Sequence, residues 1–337
     1  MKKFILPLIT ILGLQASVQA QNKTIGKIHV YDESVKTLID PSTPIEIVAE
    51  GYTWSEGPVW VKKGGYLLFS DVPENKIYKW TAEKGAELYL TPSGYTGSTY
   101  YSYEPGANGL IINQKGNLVS AEHGNRRIAE MPLGKPELKK SLSGLWEGKK
   151  LNSPNDVIQA KNGDYYFTDP PYGLPGRGKE EPAKELPFQG VFRISKKGDM
   201  ILQYDKMARP NGLAMNPDES ILYVGSSEPQ ESHILAFPVG KDGNLGEPKV
   251  FFDAAELAKQ GIRGGYDGMK LDQQGNIWTT GPGGILVISP AGKLLGRIET
   301  GNPNSNVGFG EDGSTLFITS KMNLLRVKTK TKGHNSL

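Results

Sequence analysis

The polar and apolar positions of the chain do not repeat at helical spacing over any long stretch. They recur as one phrase: a polar residue, four mostly apolar residues, a short polar stretch ending in glycine, then a second apolar run. The copies open at Glu56 (EGPVWVKKG), Asn108 (NGLIINQKG), Asn155 (NDVIQAKNG), Asn211 (NGLAMNPDE), Asp267 (DGMKLDQQG) and Ser305 (SNVGFGEDG). Gly64, Gly116, Gly163, Gly275 and Gly313 stand eight places after their openers, where a hairpin turn calls for positive φ; Glu219 holds that place in the fourth copy. The flanking runs, such as Tyr66–Phe69, Tyr165–Thr168 and Leu316–Thr319, are β-branched and aromatic, and predict strands.

The openers recur at intervals of 38 to 56 residues, room for about four short strands each. That is one blade of a propeller, and six copies predict an all-β, six-bladed β-propeller. The last copy has space for only three strands. Residues Pro44–Glu50, ahead of the first copy, are expected to supply the missing outer strand, closing the ring and covering an exposed edge. The expected organisation is a leader over 1–20, an extended lead-in over 21–43, the propeller over 44–330 and a flexible tail over 331–337. Two insertions interrupt the phrase. Thr91–Ala107 carries Tyr95, Tyr100, Tyr101 and Tyr103 and is expected to form a pocket wall, and Pro170–Gly190 is rich in Pro, Gly and charge.

Composition agrees with many short strands and tight turns, with 42 Gly and 23 Pro in 337 residues. A net charge of +3 with both signs dispersed argues against a nucleic-acid partner; Lys328, Lys330 and Lys332 read as a solvated end. At the N-terminus, Lys2 and Lys3 precede an apolar run from Phe4 to Leu14, and Val18-Gln19-Ala20 offers small residues for cleavage before Gln21. This is the pattern of a secretory signal peptide. The run falls short of the ~20 residues that span a bilayer. A periplasmic or secreted protein, off the membrane after cleavage, is the expectation. With no cysteine, neither disulfides nor a lipidated Cys can hold or anchor it.

Innermost strands of a propeller line a central channel, so the six openers should converge on one axis. Two carboxylates and three amides packed there repel or stay unsatisfied unless a cation is bound. All candidate ligands are hard oxygens, which selects calcium or magnesium over softer metals, and calcium accepts six to eight oxygens in loose geometry. The ends of the second strands return to the same rim: Asp71, Glu122-His123, Asp169, Ser226-Ser227, Gly281-Pro282 and Ser320-Lys321. His123 is the one histidine of four that falls there. Arg126, Tyr172 and Lys321 could reach the same space.

The blocks EGPVW at Glu56, SPND at Asn155, RPNGLA at Asn211 and YDGMKLD at Asp267 resemble the senescence-marker-protein/gluconolactonase (regucalcin) family. AEHGNRRI around His123 and YFTDPPYGL around Asp169 are similar to its bacterial gluconolactonase-like branch. The resemblance spans roughly residues 45 to 325. It implies one divalent cation, usually calcium (Mg2+, Zn2+ or Mn2+ being alternatives), and hydrolysis of a sugar lactone. Glu56, Asn211 and Asp267 match the family's metal ligands; Asn155 matches a ligand in some relatives and a substrate contact in others. Asn108 and Ser305 carry no such match. The expected substrate contacts are Asn108, Asn155, His123, Asp169, Tyr172, Arg126 and Tyr103. Water attack on a polarised lactone carbonyl needs a general base, for which Asp267 and His123 are both candidates. Fold alone leaves two other readings open: a non-catalytic carbohydrate- or protein-binding propeller, and a hydrolase of other esters or organophosphates.

Overall fold

The computed structural model describes residues 23–177 and 182–334. Strands are short because each is bounded by a tight turn, and the turn positions follow the phrase. Gly116, Gly163, Gly275 and Gly313 all take positive φ. In the fourth copy Glu219 itself adopts φ 59, and in the first copy a 3-10 turn at Lys62–Gly64 passes the left-handed role to Gly65.

Six antiparallel blades of four or five strands result, with a separate two-stranded hairpin pairing Leu145–Trp146 with Lys149–Lys150. Their innermost strands are Ser55–Val61, Ala107–Ile112, Val157–Gln159, Pro210–Met215, Met269–Leu271 and Asn306–Gly310. Each packs beside the next, and the sixth beside the first, so the blades form a closed ring. Glu46–Glu50 pairs antiparallel with the last strand, Asn323–Lys328, as the outer strand of the sixth blade. There Arg326 grips Glu46 Oε2 with two N–H groups, at 2.9 and 2.6 Å.

Why the strands read as continuous apolar runs is explained by burial on both faces. In Tyr66–Asp71, Leu67 and Phe69 pack toward blade six with Trp80 and Phe317, whereas Leu68 packs toward blade two with Leu110 and Leu118. Blade three repeats the alternation, Tyr165 and Phe167 facing blade two and Tyr166 facing blade four. Every gap between adjacent blades holds one such apolar cluster. Fully burying one Leu or Phe contributes ~1.5–3 kcal/mol, so the gaps, not the channel, supply cohesion.

Both chain ends depart from the expectation. The lead-in is not merely extended: Lys27–Val30 joins blade five as a fifth strand beside Leu294–Glu299, and the following turn buries Val35, Leu38 and Ile39 between blades five and six. Residues 331–334 are not a loose tail. Gly333 bridges Asp272, and the His334 N–H donates to Leu271 O at 2.8 Å. Unpaired edges and apolar side chains at these ends found partners on the ring. The leader over 1–20 lies outside the described residues, as do 178–181 of the second insertion and 335–337.

Candidate metal centre

In blades one, two and four the ladder slips between Glu56 and Val59, Ala107 and Leu110, and Pro210 and Leu213. The slip is a bulge at the opening residue and its glycine in blades two and four, and at Gly57-Pro58, directly after the opener, in blade one. A bulge bends the strand and re-aims its side chain. Asn155 and Asp267 lie just ahead of their strands. Their backbones are pinned across the blades: Gly109 N–H donates to Asn155 O at 2.8 Å, Gly268 N–H to Ser305 O at 2.8 Å, and Thr168 Oγ1 to Asn211 O at 2.7 Å.

Five of the six openers therefore line one cavity of about 400 Å3: Glu56, Asn108, Asn155, Asn211 and Asp267. Trp54, Tyr103, Glu104, Tyr172, Arg177 and Lys321 form its upper walls. Ser305 does not reach it. Its hydroxyl donates to Ser55 O at 2.6 Å and joins blade six to blade one.

The next position in the phrase was not singled out from sequence, and it explains the packing beneath. It reads Gly57, Gly109, Asp156, Gly212, Gly268 and Asn306. Asp156 and Asn306 fill the space in front of Gly109 and Gly268, while Gly57 and Gly212 face the backbone carbonyls of Asn108 and Asp267. A Cβ on Gly109 would meet Asp156 Oδ1 at 2.5 Å, and one on Gly268 would meet Asn306 Cγ at 1.9 Å. Asn306 Nδ2 donates to Glu56 Oε2 at 3.3 Å, and Gly57 N–H donates to the same oxygen at 3.0 Å. Four glycines in one register, broken by one acid and one amide, were the available signal.

The site is short of positive charge. Burial raises the pKa of both Glu56 and Asp267; Asp156 and Glu104 add to both shifts, and Glu56 raises Asp267 further. Asp267 takes a hydrogen bond from the Asn211 side chain, which opposes the rise. Four buried oxygens on the cavity wall have no hydrogen-bond partner: Oδ1 of Asn108, Asn155, Asn211 and Asp267. Unsatisfied buried acceptors cost ~1–3 kcal/mol each, and clustered carboxylates add to that. Hard oxygens of this kind suit a calcium-like ion. Among the described residues no group of three or more His, Cys, Asp or Glu is placed to hold a metal; the unpartnered oxygens at this wall come from one carboxylate and three amides.

Several expected contacts lie elsewhere. Asp169 Oδ2 accepts the Asn152 N–H at 2.7 Å, and Asp71 likewise accepts the Thr53 and Trp54 N–H groups, both at 3.1 Å. Both carboxylates fasten the segment leading into their own inner strand, and Asp169 does not line the cavity. Burial pushes its carboxyl up to about 7. Arg126 turns away from the channel, donating to Leu151 O at 2.5 Å and Ala183 O at 2.9 Å. His123 is wholly buried behind Asn108 and does not line the cavity. Its Nδ1 lies 3.2 Å from Glu104 O, its Nε2 lies 3.4 Å from Asn108 Nδ2, and burial lowers its pKa to about 4.

Tyr172 and Tyr103 do line the cavity. Tyr172 OH meets Ser227 Oγ at 2.5 Å, and Arg177 sits over the Tyr103 ring at 5.4 Å. Arg177 also pairs with Glu104 at 2.7 Å, so the two insertions meet above the channel. Tyr95 and Tyr101 instead stack on each other. Glu104 and Arg177 were missed from sequence because no phrase marks insertion residues.

A second cavity of about 470 Å3 opens at the other channel mouth, between Val59, Leu110, Ile112, Ile158, Met215 and Phe309. Its one carboxylate, Glu219, is taken by the Lys161 N–H at 3.0 Å from both oxygens. The acid-amide chemistry belongs to the first.

Residues 54–322 match the family model described as SMP-30/gluconolactonase/LRE-like region. The chain belongs to that family. It is 41% identical over 332 residues to a gluconolactonase of Zymomonas mobilis, covering 96% of this chain and 92% of the relative. Among solved structures, a gluconolactonase from Xanthomonas campestris superposes with TM-score 0.76 at 28% identity, covering 93% of this chain and 99% of that one. A calcium-binding regucalcin from Agrobacterium tumefaciens, at 17% identity and TM-score 0.67, shares the fold over 85% of this chain and 94% of its own.

Proposed function

We propose that this protein hydrolyses a sugar lactone of the gluconolactone type in the 400 Å3 cavity, with a divalent cation held by Glu56, Asn155, Asn211 and Asp267. The observation that carries the reading is the set of four unpartnered buried oxygens, beside two carboxylates whose pKa values are raised together. Calcium suits this donor set best. When bound, such an ion supplies Lewis-acid polarisation of the lactone carbonyl and stabilisation of the developing oxyanion.

The chain's own residues do the rest. Asp267 Oδ1 accepts the proton of the attacking water and returns it to the ring oxygen as the acyl C–O bond of the lactone breaks. His123 is not the base in this reading, because its Nε2 lone pair is turned to the Asn108 amide and away from the cavity. Glu56 is kept in place by Asn306 and Gly57 N–H. Tyr103 and Tyr172 offer ring faces and a hydroxyl to a polyhydroxylated ring, and Trp54 narrows the mouth. The family relationship to a gluconolactonase at 41% identity supports the substrate class.

The test is hydrolysis of D-glucono-1,5-lactone by wild type, by chelator-treated protein and by Asp267→Ala. Loss with chelator, recovery with calcium and loss in the variant support the reading; full activity in Asp267→Ala overturns it. Binding without turnover over a lactone panel would point to a binding propeller, and turnover of aryl esters or organophosphates alone to another hydrolase. Export is proposed on the leader pattern of residues 1–20. A mature periplasmic or secreted protein beginning at Gln21 is the expected result, and an uncleaved cytoplasmic chain overturns it.

A further inference from the structure

His123 is a buried imidazole with two neighbours of fixed character. Asn108 Nδ2 can only donate, so Nε2, 3.4 Å away, must accept. Glu104 O can only accept, so Nδ1, 3.2 Å away, must carry the proton. One tautomer satisfies both partners. The consequence falls on Asn108, whose amide could otherwise present either end to the cavity. With Nδ2 engaged behind, Oδ1 faces forward, buried and without a partner in the protein.

We propose that His123 is a positioning residue that locks the Asn108 amide with its oxygen toward the cavity, making Asn108 a hydrogen-bond acceptor for a ring hydroxyl of the lactone. The proposal rests on the lactone-hydrolase reading for its substrate, but not for the lock itself. It also gives the first insertion a task. The Glu104 carbonyl that orients His123 belongs to the residue whose carboxylate pairs with Arg177 of the second insertion, at 2.7 Å. Both insertions thereby set the aim of one amide at the channel wall.

A site built to accept a hydroxyl discriminates strongly against a substrate that lacks one. Expected for both Asn108→Ala and His123→Leu is a fall in kcat/KM on D-glucono-1,5-lactone of roughly ten- to a hundredfold, the loss of about one hydrogen bond to a buried group. On δ-valerolactone, which has no ring hydroxyls, the same variants should stay within about twofold of wild type. The double variant should be no worse than the poorer single, since both remove one interaction. His123→Gln, which offers an amide oxygen near the Nε2 position, should keep most activity on both substrates. Equal losses on both lactones, or losses that multiply in the double variant, overturn the lock. Should His123→Leu fail to fold, His123→Gln and Asn108→Ala carry the comparison. Nitrogen NMR of the imidazole at neutral pH decides independently: a proton on Nδ1 supports the lock, and one on Nε2 overturns it. If wild type hydrolyses neither lactone, the substrate reading fails while the NMR result still judges the lock.

Discussion

Asn306, on the sixth blade, donates its side-chain amide to Glu56 Oε2 on the first, across 3.3 Å. This bond crosses the seam of the ring and lies directly under the proposed cation site. Asn306→Ala should leave Glu56 less well aimed and lower calcium affinity by about tenfold, the usual cost of losing a partner behind a ligand. Calorimetry on purified protein measures this, and unchanged affinity would show that Gly57 N–H alone suffices.

Gly268 faces Asn306 so closely that any side chain there collides. Gly268→Ala should destabilise the fold by about 1–3 kcal/mol through overpacking. Gly268→Ala with Asn306→Gly should recover most of that loss, because the Cβ then occupies the vacated space. Denaturant midpoints of wild type and the two variants check it.

Asp267 carries both an unpartnered oxygen and a carboxylate raised by burial and by Glu56. Asp267→Asn keeps the shape but removes the charge and the basic oxygen. Lactone turnover should fall by at least about a hundredfold. In the absence of added ion the same variant should be at least as stable as wild type, because one of two repelling carboxylates is gone. A thermal melt in chelator distinguishes these effects.

The stability of the protein should depend on pH through His123 and Asp169 with opposite signs. Burial holds the His123 pKa at about 4, below its ordinary 6.5. As pH falls from 6.5 to 4 the unfolded chain takes a proton that the folded protein refuses, so stability is lost, up to about 3 kcal/mol. Burial pushes Asp169 up to about 7 from 3.8. Its contribution is fully present below 3.8 and is lost as pH rises through 7. The stability difference between wild type and His123→Gln should therefore shrink as pH falls from 6.5 to 4. The difference between wild type and Asp169→Asn should grow as pH falls from 7 to 4. A difference flat with pH in either pair would count against that group's burial.

What could be read from the sequence was whatever the repeat enforces. Blade count, turn glycines and the convergence of Glu56, Asn108, Asn155, Asn211 and Asp267 all follow from one register that sheet pairing cannot slip without turning the strand inside out. Ser305 shares that register but spends its hydroxyl on the neighbouring blade. Rim positions were less legible. Asp169 and His123 stand where a strand ends, and a strand end says which face a residue reaches but not which way it turns. Asp169 turned back to its own loop, and His123 stayed behind Asn108. Glu104 and Arg177 sit on insertions without a repeat to compare, and only the fold brings them together.

The pairing of Glu46–Glu50 with Asn323–Lys328 has a consequence in time. A ribosome delivers this chain from its N-terminus, so the first of these strands waits for nearly the whole protein to be made before its partner exists. Until then Glu56 has no Asn306 beneath it. The proposed cation site is finished only with the final blade, so a nascent or truncated chain would leave its Glu56 carboxylate without the Asn306 amide behind it.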